Sequence, residues 1–270
     1  MKTLRYIIIA SLCTIATLTM QPLQAQTATM RAGEVINYEL YFNWKFVWKK
    51  VGTARFSVRD TRYEGRQAYR IDLETLTDGV VDKFFRMRDT LVSIVTPSMQ
   101  PLYYRKAAAE GKNYYIDEAR YSYAGGQTHI KLHQRKNLKE DYHGEYRGTE
   151  KVYDMLSILL NARAWDSSSW KPGHEIRFLM VSAEKVEKGL LRYRGKEVVE
   201  AKDKHSYRCL IFSFYEDNDK DRNRELIRFF ITDDRNHMPI RLDMNLNFGS
   251  AKAFMKSVRG NQYPLTSRVK

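Results

Sequence analysis

Ile36-Asn37-Tyr38-Glu39-Leu40-Tyr41-Phe42-Asn43-Trp44 decides the fold class. Ile36, Tyr38, Leu40, Phe42 and Trp44 alternate with Asn37, Glu39, Tyr41 and Asn43. Successive side chains of an extended chain point to opposite faces, so this run is a long strand with one apolar face. Residues 240–248 repeat the pattern: Ile240, Leu242, Met244, Leu246 and Phe248 alternate with Arg241, Asp243, Asn245 and Asn247. Shorter runs follow it at Ala54, Phe56 and Val58, at Tyr69, Ile71 and Leu73, at Ile176, Phe178 and Met180, and at Ile227, Phe229 and Ile231.

Turn chemistry separates the runs. Glu64-Gly65, Glu110-Gly111-Lys112-Asn113, Ala124-Gly125-Gly126-Gln127, Pro172-Gly173, Arg194-Gly195-Lys196 and Asp233-Asp234-Arg235-Asn236 all carry hairpin or loop signals. Close strands with tight turns pair antiparallel, as a meander. One segment changes the period: Val152, Met155, Leu156, Leu159 and Leu160 share a helical face, with Thr149 as cap, Glu150 in the first turn and Arg163 in the last. A second short helix is expected over residues 78–85. The predicted fold is therefore mainly β: a large curved antiparallel sheet or half-barrel meander, with one mid-chain helix on its concave side. The domain runs over 26–270, with strand groups at about 33–147 and 174–258 joined by a helix at 150–163.

Residues 1–25 read as a secretory signal. Lys2 and Arg5 precede an apolar run over 6–18, and Leu23-Gln24-Ala25 presents a small residue before a mature start at Gln26. The run is short for a bilayer span, and no later segment is long and apolar enough to cross a membrane. Cys13 follows Leu12 inside the apolar run, which does not suit a lipoprotein cut. The expected location is periplasmic or secreted. Cys209 is then the only cysteine of the mature chain, which leaves no internal disulfide, and its run Cys209-Leu210-Ile211-Phe212 reads as a buried, inert thiol. The formal net charge of +14 attracts polyanions. For an exported protein these are lipid head groups or acidic glycans, not nucleic acid; the same charge also serves solubility.

The search for chemistry yields no catalytic residue. His129 and His133 stand four apart on a strand, about 13 Å, too far to share a metal. Asp217-Asn218-Asp219-Lys220-Asp221 opens like a calcium loop, but Arg222 replaces the required Gly and Arg228 the required Glu. Nucleophile elbows, zinc-protease helices and phosphate-binding glycine loops are missing from the sequence. No metal and no cofactor are expected. Tyrosines and tryptophans are dense from Tyr38 to Tyr123, which suits β-sheet and also suits stacking on a ligand.

Several stretches, in this order, resemble a known family. Gly33-Glu34-Val35-Ile36-Asn37-Tyr38, Val51-Gly52-Thr53-Ala54, Phe84-Phe85-Arg86-Met87-Arg88-Asp89, Tyr153-Asp154-Met155-Leu156-Ser157, and Thr232-Asp233-Asp234 with Met238-Pro239-Ile240 and Gly249 are similar to the bacterial exported family of unknown function numbered 3108. The resemblance spans roughly residues 33–258, and the Gln26 start is similar to envelope proteins of the Bacteroides type. It implies a periplasmic or outer-envelope β protein and transfers no catalytic residue. In this motif set Gly52 and Gly249 permit strand bends or close backbone approach, and Asp154 and Ser157 hydrogen-bond a neighbouring strand end.

The expected function is a non-enzymatic carrier, with an acyl chain on the concave face and an anionic head group at a basic rim. The expected ligand residues are Tyr38, Trp44, Lys83, Arg86, Arg88, Tyr103, Arg105 and Lys106. The alternatives are an envelope interaction protein that binds a protein or acidic glycan through outer tyrosines, and an envelope hydrolase.

Overall fold

The computed structural model describes residues 29–44, 47–79, 86–110, 113–137, 139–216, 224–246 and 249–269. The expected signal segment at 1–25, most of the expected helix at 78–85 and the acidic loop at 217–221 lie outside the described residues. Eight strands come first: β1 (Val35–Trp44), β2 (Val47–Tyr63), β3 (Arg66–Thr77), β4 (Met87–Val95), β5 (Pro101–Glu110), β6 (Asn113–Ala124), β7 (Gln127–Lys136) and β8 (Glu140–Gly148). A short β9 (Val152–Tyr153) leads into helix α1 (Met155–Arg163). Six strands follow: β10 (Glu175–Ser182), β11 (Lys185–Glu200), β12 (Ser206–Glu216), β13 (Glu225–Thr232), β14 (Pro239–Leu246) and β15 (Gly249–Arg259).

All fifteen strands form one sheet, ordered β8-β7-β6-β5-β4-β3-β2-β1-β15-β14-β13-β12-β11-β10-β9. Each half is a meander. The halves join where β1 pairs antiparallel with β15, from Val35 opposite Arg259 to Asn43 opposite Ser250. Every neighbouring pair is antiparallel except β9 and β10, which run parallel, with Val152 beside Leu179. The outer edges, β8 and β9, are consecutive in the chain and separated only by residues 149–151. A link of that length reaches at most about 14 Å. The sheet must therefore curl until its edges are neighbours. It remains open, because no ladder joins β8 to β9 or β10 among the described residues. At the seam, a Cβ on Gly144 of β8 would collide with the Glu184 carbonyl in the β10–β11 turn.

Two details differ from the sequence reading. Arg194-Gly195-Lys196 is not a turn. It lies within β11, where the register with β12 shifts between Tyr193 and Gly195 and Gly195 takes φ +112°. A bulge uses the same left-handed glycine as a turn, so the local signal is the same. The helix also starts later than Thr149. Its N-cap is Asp154, whose Oδ1 accepts from the backbone N–H groups of Leu156 and Ser157, both at 2.9 Å, while the Asp154 N–H donates to Ser157 Oγ at 2.8 Å. This is a capping box. Val152, placed on the helical face by its spacing, and Tyr153, expected within the helix at 150–163, pair with β10 instead.

The helix touches β4, β9 and β10. β4 and β10 lie far apart in the sheet order, so α1 sits within the concavity. Leu156 and Leu160 join Ile36, Tyr38, Phe56, Ile71, Ile130 and Met255 in the main apolar cluster. A second cluster gathers Leu191, Tyr193, Leu210, Phe212 and Ile231. Cys209 and Ile211 belong to the first cluster and Leu210 and Phe212 to the second, so β12 is covered on both faces. Such burial gives a continuous apolar run in place of alternation. Burial pushes the Cys209 thiol up to about 12, so it stays protonated.

Polar bonds fix both ends of α1. Ser93 Oγ of β4 donates to Asp154 Oδ2 at 2.9 Å. Arg163, fully buried, forms a two-pronged pair with Glu34, also fully buried, at 2.6 and 3.0 Å. Two more of its N–H groups meet the carbonyls of Asn236 at 3.0 Å and Thr29 at 3.1 Å. The ion pair is thus buried with every guanidinium nitrogen hydrogen-bonded, which makes removal of one partner far costlier than the pair's net worth. Arg163→Ala should lower stability by about 3–5 kcal/mol, read as a lower urea midpoint; an unchanged midpoint would refute the assignment.

Burial pushes the Asp154 carboxyl up to about 6, against the pull of its Ser157, Ser93 and Leu156 donors. The folded chain then holds this proton more tightly than the unfolded chain. Its contribution to stability is greatest at low pH and declines between about pH 4 and pH 6. Asn caps a helix as well as Asp. Asp154→Asn should therefore gain stability relative to the wild type across that interval, by on the order of 2–3 kcal/mol, with a flat difference above it. Parallel denaturation curves over the same range would count against it.

Candidate functional site

The crossing from β8 to β9 separates two grooves. The larger, about 560 Å³, has Tyr153, Trp165, Ile176, Phe178 and Leu179 as its apolar wall, with Glu150, Lys151, Arg177 and Lys188 around it. Each wall residue has a local cause. Tyr153 is set by the parallel pairing of β9 with β10, where it lies beside Met180. Phe178 stands opposite Gly189 of β11, and its ring fills the space a side chain there would take. Trp165 leaves the end of α1, its N–H donating to the Ala162 carbonyl at 3.3 Å. Trp170 follows, 6.2 Å from Trp165, stacked on His174 at 4.6 Å and edge-on to Tyr193 and Phe212. The groove wall is thus the rim of the second apolar cluster.

Three cations face one carboxylate around this groove. Lys151 keeps part of its side chain exposed to solvent. Its Nζ donates to Asn161 Oδ1 at 2.8 Å and lies 4.9 Å from the centre of the Tyr153 ring. Burial lowers the pKa of its ammonium. Arg177 pairs with Glu175 at 2.8 Å. Lys188 is exposed and forms no ion pair among the described residues. Lys151 also lines the smaller groove, about 380 Å³, with Gln100, Tyr123, Thr128, Thr149 and the Gly125-Gly126 turn. An aromatic wall edged by cations suits an amphiphile whose polar end is an anion.

The residues predicted from sequence are dispersed. Tyr38 is buried in the main cluster, its hydroxyl donating to the Pro239 carbonyl at 2.8 Å. Trp44 closes β1, with its side chain outside the described set, and Lys83 lies outside the described residues. Arg86 is exposed just before β4, and Arg88 donates to the carbonyls of Thr77 at 3.1 Å and Met87 at 2.7 Å. Tyr103 and Arg105 share one face of β5 and meet at Glu118, through the Tyr103 hydroxyl and at 3.9 Å respectively. Lys106 takes the other face, with buried Tyr104. None of those described lines either groove. Sequence reading missed Lys151, Tyr153, Trp165, Phe178 and Lys188. The available signal was the pair Trp165 and Trp170, two large aromatics placed in a connection.

The histidines form a different constellation. His133 of β7 lies directly opposite His143 of β8, with ring centres 4.7 Å apart and planes within 7°. Asp141 approaches His133 Nε2 at 2.5 Å and His143 Nε2 at 3.6 Å. Nδ1 of His133 faces Glu118 at 3.5 Å. The hydrogen bond from His133 holds the Asp141 carboxyl below its usual range. Burial raises Glu118, but its bonds from Tyr103 and His133 outweigh this and keep it low. His129, further along β7, meets Glu145 at 3.4 Å.

The fold resembles a beta-barrel-like protein of the domain of unknown function DUF1849 from Brucella abortus. The TM-score is 0.57 at 10% identity, over 87% of this chain and 100% of that one. A protein of Bacteroides fragilis with a YmcC-like fold aligns over 85% of this chain and 97% of its own, with 9% identity and a TM-score of 0.31. No curated protein sequence matches the chain. A family model described as "Protein of unknown function (DUF3108)" matches residues 37–256, from β1 almost to the end of β15, and the chain belongs to that family.

Proposed function

We propose that this chain is an exported, non-enzymatic binding protein of the cell envelope, and that its ligand is an amphiphile with an anionic head group. The observation that carries the reading is the groove beside α1. Its apolar part offers Tyr153, Trp165 and Phe178 to an acyl chain, and its basic part offers Lys151 and Lys188 to the head group. Among the described residues the groove lining has no Ser, Cys or His and a single carboxylate, Glu150, which supports binding over hydrolysis by a serine or cysteine nucleophile or a carboxylate pair. The signal-like N-terminus supports export. The concavity is occupied by α1 and the main cluster, which leaves the concave face expected from sequence filled and supports a ligand in the groove beside α1 instead.

A second reading rests on another surface. Tyr41 stacks on Trp48 at 5.4 Å, Phe254 meets both edge-on, and Lys252 lies 5.5 Å from the Trp48 ring. Trp48 is 45% exposed. Such a patch offers stacking and positive charge to an acidic glycan.

Native mass spectrometry of protein taken from its own periplasm tests the first reading, together with tryptophan fluorescence titration against anionic and zwitterionic lysophospholipids. The expected result is a mature chain beginning at Gln26 that carries lipid and prefers the anionic form. Lys188→Glu should weaken binding by about fivefold or more, and Trp165→Ala by about tenfold or more. An unliganded mass with no lipid response sinks the carrier. A response to acidic oligosaccharide that is lost in Trp48→Ala favours the second reading.

A further inference from the structure

The outer face of β6, β7 and β8 carries a polar row that the groove does not use. Arg105, Glu118, His133 and His143 stand directly opposite one another on successive strands from β5 to β8. We propose that this row is a site for a divalent transition metal, zinc above all, with His133 Nε2, His143 Nε2 and one Asp141 oxygen as the protein ligands and Glu118 as the group that orients His133.

Residues four apart on one strand are separated by about 13 Å, whereas directly opposed residues on antiparallel strands have Cβ atoms about 5 Å apart. His133 and His143 are such a pair. Asp141 lies two residues before His143 and so shares its face. The donor atoms of the three residues all lie within 4.8 Å of one another. Zinc bonds of about 2.0–2.2 Å in a tetrahedron place donors about 3.4 Å apart. Side-chain rotation alone closes that difference, without moving the strands.

The surrounding groups match what a metal-bound histidine needs. A ligating imidazole is normally fixed by a hydrogen bond from its other ring nitrogen to a carboxylate or carbonyl. Here Nδ1 of His133 faces Glu118 Oε2, which leaves Nε2 toward Asp141 and His143. Glu118 is itself held by the Tyr103 hydroxyl and by Arg105. Exposure grades outward. The His133 side chain is 28% exposed, Asp141 55% and His143 72%, so the site is backed on one side and open to solvent on the other. Two imidazoles and one carboxylate favour zinc, copper or nickel over calcium or magnesium, which take oxygen donors. Three protein ligands leave positions for water or for a donor from a partner.

The test uses the full mature chain, stripped of metal and then equilibrated with zinc, calcium or magnesium alone. Ultrafiltration and elemental analysis should retain one zinc per chain and neither of the other ions. His133→Ala and His143→Ala should each lower zinc affinity by at least about tenfold, and Glu118→Gln by about 10- to 100-fold. His129→Ala should leave it unchanged. With Co²⁺ as the probe, the wild type should give intense tetrahedral visible bands that both His133→Ala and His143→Ala lose. If a variant fails to fold, wild-type protection of His133 and His143 from diethyl pyrocarbonate by zinc reads the same site. Absence of stoichiometric zinc, binding that survives the double His133→Ala/His143→Ala change, or modification of both histidines regardless of zinc would each overturn the proposal.

Discussion

Three residues set the shape of the molecule. Residues 149–151 carry the chain from one outer strand of the sheet to the other. Fifteen strands laid flat would separate those edges by more than 60 Å at the usual spacing, and the link reaches about 14 Å. Curvature is therefore forced by connectivity, before any core contact is counted. The concavity that results has to be filled, and α1 follows at once to fill it. Asp154 and Arg163 then tie the two helix ends to β4 and to the segment ahead of β1.

The same link places the groove. Lys151 and Tyr153 arrive at the mouth of the concavity because the crossing delivers them there, and Trp165 arrives because α1 ends there. The basic and aromatic character of the groove is thus a by-product of closure: β9 and β10 hold Tyr153, Ile176, Phe178 and Leu179 by backbone pairing, while Lys151 and Trp165 come from the connections before β9 and after α1. Proteins that hold a site on paired strands lose little conformational entropy when a ligand docks.

Much of the fold was legible, for a clear reason. Alternation at Tyr38, Leu40 and Phe42, or at Leu242 and Met244, reports a half-buried strand wherever the chain is extended. The helix was legible from Leu156, Leu159 and Leu160, but its start was not. Val152 fits the helical face, and only the neighbouring β10 claims it for the sheet. Gly195 misled because a bulge and a turn require the same backbone conformation. The site was largely illegible. His133 and His143 are ten residues apart, and their proximity depends on a register that sequence does not state. The groove likewise joins residues from 150 to 188, which no spacing rule connects. Tyr38, a plausible ligand residue on composition, is instead a core tyrosine with its hydroxyl satisfied by Pro239.

The pairing of β1 with β15 has a kinetic consequence. The other antiparallel ladders join strands adjacent in the chain and need only short loops to close. This one brings Val35 to Arg259, across more than 200 residues. Contacts of such separation form slowly, since the loop entropy is lost before the contact is gained. During synthesis, the first strand leaves one edge bare until the last has emerged. In that interval Ile36, Tyr38 and Leu40 are an open template for strand addition by another chain. A molecule built this way exposes that template for as long as its last strand is missing, whatever the stability of the finished fold.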